Sequence, residues 1–230
     1  MDPVNIAIRD PPHKRVPCLP DHPLPNAGIR HQTPPKSLNR DKKNSFVALH
    51  SLSISTTQLS IIMSEEYLFS PDLISPNVKA NLPKGYTCRP LSNKDYGRGF
   101  LDVLKVLTTV GDISEKMYLA RFNWMKARND SYYLLVIVDQ NDRIVGSGTL
   151  LIERKFIHET ASTGHIEDIA VAKDQQGKKL GLRIIEALDY VCEKQGAYKN
   201  TLVCKDHNIP FYEKCGFKRG QNEMTRYYKL

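Results

Sequence analysis

From His165 to Gly181 the chain reads HIEDIAVAKDQQGKKLG: β-forming residues, then a polar turn holding Gly177 and two lysines, then the start of an apolar-periodic segment. A strand that turns through small residues into a helix leaves backbone N–H groups exposed at the helix start. The helix dipole also favours negative charge there, so a pyrophosphate fits. Lys178 and Lys179 add formal charge at the same place. On the glycines alone, an ordinary strand-to-helix turn is an equally good reading. Neither G-x-G-x-x-G nor G-x-x-x-x-G-K-[ST] occurs, so neither common nucleotide-binding fold gains support.

Other residues could take part in chemistry, and each also has a plain structural reading. Glu167 and Asp168 are neighbours on one strand, so their side chains point to opposite faces unless a bulge or strand edge intervenes. Taken singly, such acids are usually surface groups. Tyr212 offers a phenolic O–H to a leaving group, but on a short helix the better reading from the residues alone is a core aromatic. Cys204 and Cys215 are nucleophiles on paper, although buried thiols are usually inert. The five cysteines are an odd set without C-x-x-C spacing, which favours free thiols in a reducing, cytoplasmic setting. The seven histidines show no metal-ligand spacing, and no metal is expected.

The elements that must position these residues alternate from about Lys84 onward, which predicts an α/β layered domain. A first strand is expected over Tyr86–Pro90. A helix should follow, capped by Ser92 with Asp95 three residues on, its apolar face formed by Phe100, Val103, Leu104 and Leu107. A second helix starts at Ser114 and buries Tyr118, Phe122 and Met125. Tyr132–Val138 and Arg143–Glu153 form a hairpin about the turn Asp139–Asp142. His165–Val171 is a strand, and the helix after it, ended by Gly196, buries Leu180, Ile184, Leu188 and Val191. A strand at Thr201–Cys204, a short helix at Ile209–Cys215 and a closing strand at Glu223–Tyr228 complete the expectation.

Residues 1–62 differ in texture. They hold nine of the fourteen prolines and no Glu, with eight Lys or Arg against four Asp. Such a stretch cannot bury enough surface to offset its chain entropy, so a disordered, Pro-rich basic extension is expected, with Met63 as an alternative start. An arm over 63–83 and a domain over 84–230 follow. The net charge of +8 divides evenly between tail and domain, and the basic residues are not interleaved with aromatics, which disfavours nucleic acid. No apolar run approaches a membrane span and no signal-peptide pattern opens the chain, so neither membrane nor secretory apparatus is an expected partner.

Several segments together carry a resemblance. Gln176 to Gly181 is similar to the acetyl-CoA loop Q/R-x-x-G-x-G/A of the GNAT superfamily, with Lys179 in place of the central glycine. LKVLTTVGDIS (104–114), IERKFIH (152–158), GHIEDIAV (164–171), GKKLG and FYEKCGF (211–217) follow the order found in the glucosamine-6-phosphate N-acetyltransferases of that superfamily. The resemblance spans roughly residues 84–230, and loosely LFSPDLISP (68–76). It implies the GNAT fold, an α+β arrangement with a mixed, mostly antiparallel sheet flanked by helices.

The resemblance also implies roles. Acetyl-CoA would meet the backbone of Ile169, Ala170 and Val171, the loop Gly177, Lys178, Lys179, Leu180, Gly181 and Leu182, and Asn208 with Tyr212. The sugar phosphate would meet Thr108 and the segment Lys155, Phe156, Ile157 and His158, with Glu167, Asp168, Tyr198 and Lys199 near the sugar. The catalytic assignments it implies are Tyr212 as donor to the leaving sulfur, the backbone of Ile169 at the carbonyl, and Glu167 with Asp168. A homodimer whose site draws on both subunits is implied as well. Where the family usually has a carboxylate before the cysteine of the strand preceding FYEKCGF, this chain has Val203. Two alternatives stay open: a GNAT enzyme for another amine or protein lysine, and a weakly active CoA-binding interaction protein.

Overall fold

The computed structural model of the chain describes residues 64–226 and 228, so the extension expected over 1–62 lies outside the described residues. Five strands lie side by side in chain order: β1 (Thr87–Pro90), β2 (Tyr132–Val138), β3 (Ile144–Arg154), β4 (Ser162–Val171) and β5 (Ala197–Leu202). β1 to β4 pair antiparallel, and β5 joins β4 in parallel. The helices are α1 (Pro76–Asn81), α2 (Phe100–Leu104), α3 (Glu115–Lys126), α4 (Leu180–Lys194) and α5 (Ile209–Lys214). α4 is the crossover that a parallel β4–β5 pair requires.

The core forms where the expected stripes meet the sheet. Leu180, Ile184, Leu188 and Val191 of α4 are all buried, as are Tyr118 and Phe122 of α3. Glycines in the strands let α4 approach closely. A Cβ at Gly148 would sit 2.5 Å from Ile184 Cγ2, and one at Gly164 would sit 2.3 Å from Cys192 Sγ. The arm belongs to this core: Leu68, Phe69, Ile74 and Val78 are buried, and Glu66 pairs with Lys126 at 2.5 Å.

Three expectations need correction. The Ser92–Asp95 cap forms, with Ser92 N–H donating to Asp95 at 2.8 Å, yet no helix follows until Phe100. The reason is competition for the buried Asp95 carboxylate. Arg89 binds it through two 2.7 Å hydrogen bonds and Arg98 adds a third at 3.1 Å, holding a series of turns. Leu107 falls past the end of α2 and is 44% exposed. The strand expected at Thr201–Cys204 runs instead over Ala197–Leu202, because the register with β4 stops at Ile166↔Leu202. No strand forms at Glu223–Tyr228 among the described residues; Met224 is its lone aliphatic side chain there, 94% exposed, too little to hold the segment on a sheet edge.

Candidate active site

β4 keeps its pairing with β3 as far as Gly146↔Val171, but it pairs with β5 only up to Ile166. Beyond that point the two parallel strands part, and Ile169 to Val171 face a cleft instead of a neighbour. At the same place β4 carries an extra residue. Thr149 pairs with Glu167 and Ser147 with Ala170, three steps on one strand against two on the other. This is a β-bulge, with Asp168 in the left-handed region at φ 53°. It breaks the strict alternation that would have kept the adjacent acids apart, and Glu167 and Asp168 are both exposed.

The cleft measures about 560 Å³. Ile169, Ala170 and Val171 form one wall, and Asn208, Phe211, Tyr212 and Cys215 the other, with the loop from Gln175 through Leu182 between them. α4 begins at this loop. Its N-cap, Lys179, makes no side-chain capping hydrogen bond, so the first-turn N–H groups have no side chain of the cap to satisfy them. Gly177 has φ 84° with open space where a Cβ would stand. Exposed first-turn N–H groups and the helix dipole are the features that favour an anionic group at a helix start.

Most residues expected to meet acetyl-CoA line the cleft, and Lys178 does not. Its ammonium donates to Tyr86 Oη at 2.8 Å and to Gln175 Oε1 at 2.6 Å. Val106, Gln175, Gln176, Phe211 and Lys214 line the cleft without having been singled out as site residues, and Cys215, weighed only as a nucleophile, lines it too. Gln176 had a signal as the first residue of the loop pattern, and Phe211 one as the neighbour of Tyr212. Val106 had none, since it comes from the distant loop after α2. Burial pushes the Tyr212 phenol above its ordinary value, and the neighbouring Cys204 and Cys215 push in the same direction. It therefore keeps its proton near neutral pH.

Around the ends of β3 and β5 the structure gathers most of the residues expected to meet the sugar phosphate. The His158 and Tyr198 rings lie 4.9 Å apart, and the Lys199 ammonium sits 5.4 Å from the Tyr198 ring centre. Lys155 pairs with Glu153 at 2.6 Å, and Glu153 also meets His165 at 2.9 Å. Ile157–Thr160 is one tight turn in which His158, Glu159 and Thr160 all have positive φ. It leaves Phe156 98% and Ile157 60% exposed. Thr108 is also exposed, two residues past Val106. Although Glu167 is exposed, partial desolvation by the surrounding protein raises its carboxyl above the usual range, Asp168 adds to the rise, and His165 opposes it. Val203 follows Leu202 at the point where β5 leaves β4; it is 57% exposed, so it does not face the core.

The chain has counterparts among known proteins. Residues 100–217 match the acetyltransferase (GNAT) family. The chain belongs to that family. GNAT enzymes use acetyl-CoA as co-substrate. The chain is 45% identical to the glucosamine 6-phosphate N-acetyltransferase of Candida albicans over 63% of its own length and 97% of the relative's. It is 38% identical to a probable glucosamine 6-phosphate N-acetyltransferase of Drosophila melanogaster, over 71% of this chain and 83% of that one. The crystal structure of the Arabidopsis thaliana glucosamine-6-phosphate N-acetyltransferase superposes with a TM-score of 0.62 at 32% identity, covering 63% of this chain and 99% of that one. No helix among the described residues is long and apolar enough to cross a membrane, and no three potential metal ligands converge there.

Proposed function

We propose that this GNAT enzyme transfers the acetyl group of acetyl-CoA to the amine of D-glucosamine 6-phosphate, the substrate named for its relatives in Candida, Drosophila and Arabidopsis. The observation that supports it most is the parting of β4 and β5 beside the Asp168 bulge, which sets an open strand edge, the α4 start and Tyr212 around one cleft. In the reaction a nitrogen–carbon bond forms and the carbon–sulfur bond breaks. The amine, bound as ammonium, must first lose a proton. Glu167, lifted above the usual carboxylate range, is a better base than an ordinary surface acid and passes that proton to solvent. The backbone N–H of Ile169 stabilises negative charge on the thioester oxygen, and neutral Tyr212 donates a proton to the departing sulfur; the second proton that the nitrogen loses as the amide forms restores the phenol through solvent.

Lys155, His158, Tyr198 and Lys199 hold the sugar phosphate, with charge-assisted hydrogen bonds from the lysines to phosphate oxygens. We read the enzyme as a homodimer. The support is the exposure of Phe156 and Ile157 beside the sugar-phosphate residues and of Met224 and Tyr228 near the end of the chain, apolar groups that a second copy would cover. On the same reading it works in the cytoplasm, and its product supplies UDP-N-acetylglucosamine synthesis. An acetylation assay comparing glucosamine 6-phosphate, glucosamine and unrelated amines tests the substrate. A clear preference for the phosphate is expected; equal rates with and without it would remove this substrate.

A further inference from the structure

The loop at the start of α4 has two features that work against a fixed shape. Its N-cap residue makes no capping hydrogen bond, and that residue is a lysine with φ 62° and ψ 17°, a conformation that favours glycine. Something outside the loop must therefore hold it. Tyr86, which precedes β1, donates its phenolic hydrogen to Gln175 Oε1 at 2.6 Å. Lys178 donates to both of these oxygens, across 92 residues of sequence in the case of Tyr86. Gln175 is 8% exposed, so the centre of the network is shielded from water. From its amide the network runs on to Asp174 at 2.9 Å, and Asp174 pairs with Arg143 of the β2–β3 turn at 2.7 Å.

We propose that Tyr86, Gln175 and Lys178 brace this loop, so that Lys178 is a positioning residue that fixes the backbone N–H groups for the pyrophosphate instead of contacting it. The inference rests on the acetyl-CoA reading of the cleft. Its chemistry is specific: the ammonium faces a phenol and an amide oxygen on the sheet side of the loop, and it is not among the groups lining the cleft. With the brace intact, the loop meets its ligand already ordered. Without it, ordering the loop is charged against the binding free energy.

Two substitutions and two measurements test this. Tyr86→Phe keeps the ring and removes the hydroxyl; Lys178→Met keeps the stem and removes the ammonium. Hydrogen exchange on the unliganded chain should show faster exchange at residues 176–181 in both. Calorimetry with CoA should show Kd raised about tenfold in each, the factor that about 1.4 kcal/mol represents. The double variant should be little worse than either single one, because the two groups act as a unit. For Tyr86→Phe, KM for acetyl-CoA should rise while kcat at saturation holds. If Lys178→Met weakens CoA and Tyr86→Phe changes neither exchange nor binding, Lys178 contacts phosphate directly and the brace is overturned. Unchanged exchange in both variants overturns it too. A wild-type chain that bound no CoA would sink the acetyl-transfer reading itself, and the purpose given to the brace with it.

Discussion

The two regions proposed for the site, at opposite ends of the β4–β5 pair, are built in different ways. The acetyl-CoA end comes from one strand–loop–helix unit, Glu167 to Leu182, closed by α5 and tied to the sheet through Tyr86 and Arg143. The sugar-phosphate end comes from the tips of β3 and β5 and a left-handed turn whose Phe156 side chain is almost wholly in solvent. The first can be rigid within one chain, because its parts are sequence neighbours packed against a core helix. The second puts large apolar groups beside cationic ones at the surface, an arrangement that a ligand or a second copy has to complete. Affinity for acetyl-CoA should therefore be a property of the single fold, and discrimination of the amine a property of the less enclosed end.

The largest expected effect separates chemistry from binding at the enclosed end. Tyr212→Phe removes the proposed donor to sulfur and keeps the ring that packs near Phe211 and Phe217. Loss of one well-placed donor in a transition state costs about 3–4 kcal/mol, so kcat should fall by roughly 100- to 1,000-fold. CoA binding, measured by calorimetry, should change little. Equal losses in both would make Tyr212 a packing residue.

Next in size is Val203, at the boundary between the two ends. As it is mostly exposed beside the point where β5 leaves β4, a carboxylate there would not be buried unpaired. Val203→Asp should then orient the substrate ammonium through a charge-assisted hydrogen bond worth about 1.5–3 kcal/mol. That corresponds to a gain of about 10- to 100-fold in kcat/KM for glucosamine 6-phosphate. The nearby Glu167 and Asp168 charges reduce the gain by mutual repulsion. A variant with unchanged melting temperature and no gain in rate would show that this position takes no part.

A smaller effect probes the open end alone. Lys155 forms an ion pair with Glu153 and is expected to exchange part of that interaction for phosphate. Lys155→Met should raise KM for glucosamine 6-phosphate about tenfold, the lower end of what a hydrogen bond to a charged group contributes, and should leave KM for acetyl-CoA within about twofold. An equal rise in both constants would erase the distinction between the ends.

Legibility in the sequence followed the same division. The strand–loop–helix unit was readable because β-formers, turn glycines and a 3.6-residue apolar stripe lie in one continuous segment, and Leu180, Ile184, Leu188 and Val191 are all buried as that stripe requires. The alternation rule flagged Glu167 and Asp168 as needing a bulge, and β4 has one. What stayed hidden depended on contacts between distant residues. Asp95 looked like a helix cap because its partner Arg89 lies on another element, and the contact of Lys178 with Tyr86 was invisible because Tyr86 is far away in sequence. The end of β5 was also out of reach, since it is set by where β4 stops offering a partner and not by the propensity of Val203 or Cys204.

The smallest effect concerns the residue that departs from the loop pattern, Lys179. Its φ of 62° places a side-chain-bearing residue where glycine is at ease, at the N-cap of α4. The left-handed region costs an ordinary L-residue about 1–2 kcal/mol. Part of the benefit of Lys179→Gly is lost because glycine also frees the unfolded chain, so a net gain of about 0.5–1 kcal/mol in stability is expected. Lys179 lines the cleft, however, and its charge favours a phosphate nearby. An exposed lysine contributes little through solvent, so the variant should bind CoA only a few times more weakly, with a shallower salt dependence. Denaturant melts and CoA titrations at two salt concentrations thus have opposite expected signs. Should stability fall instead, the left-handed lysine is not strained, and the brace through Tyr86 and Lys178 would be holding a loop that needed no holding.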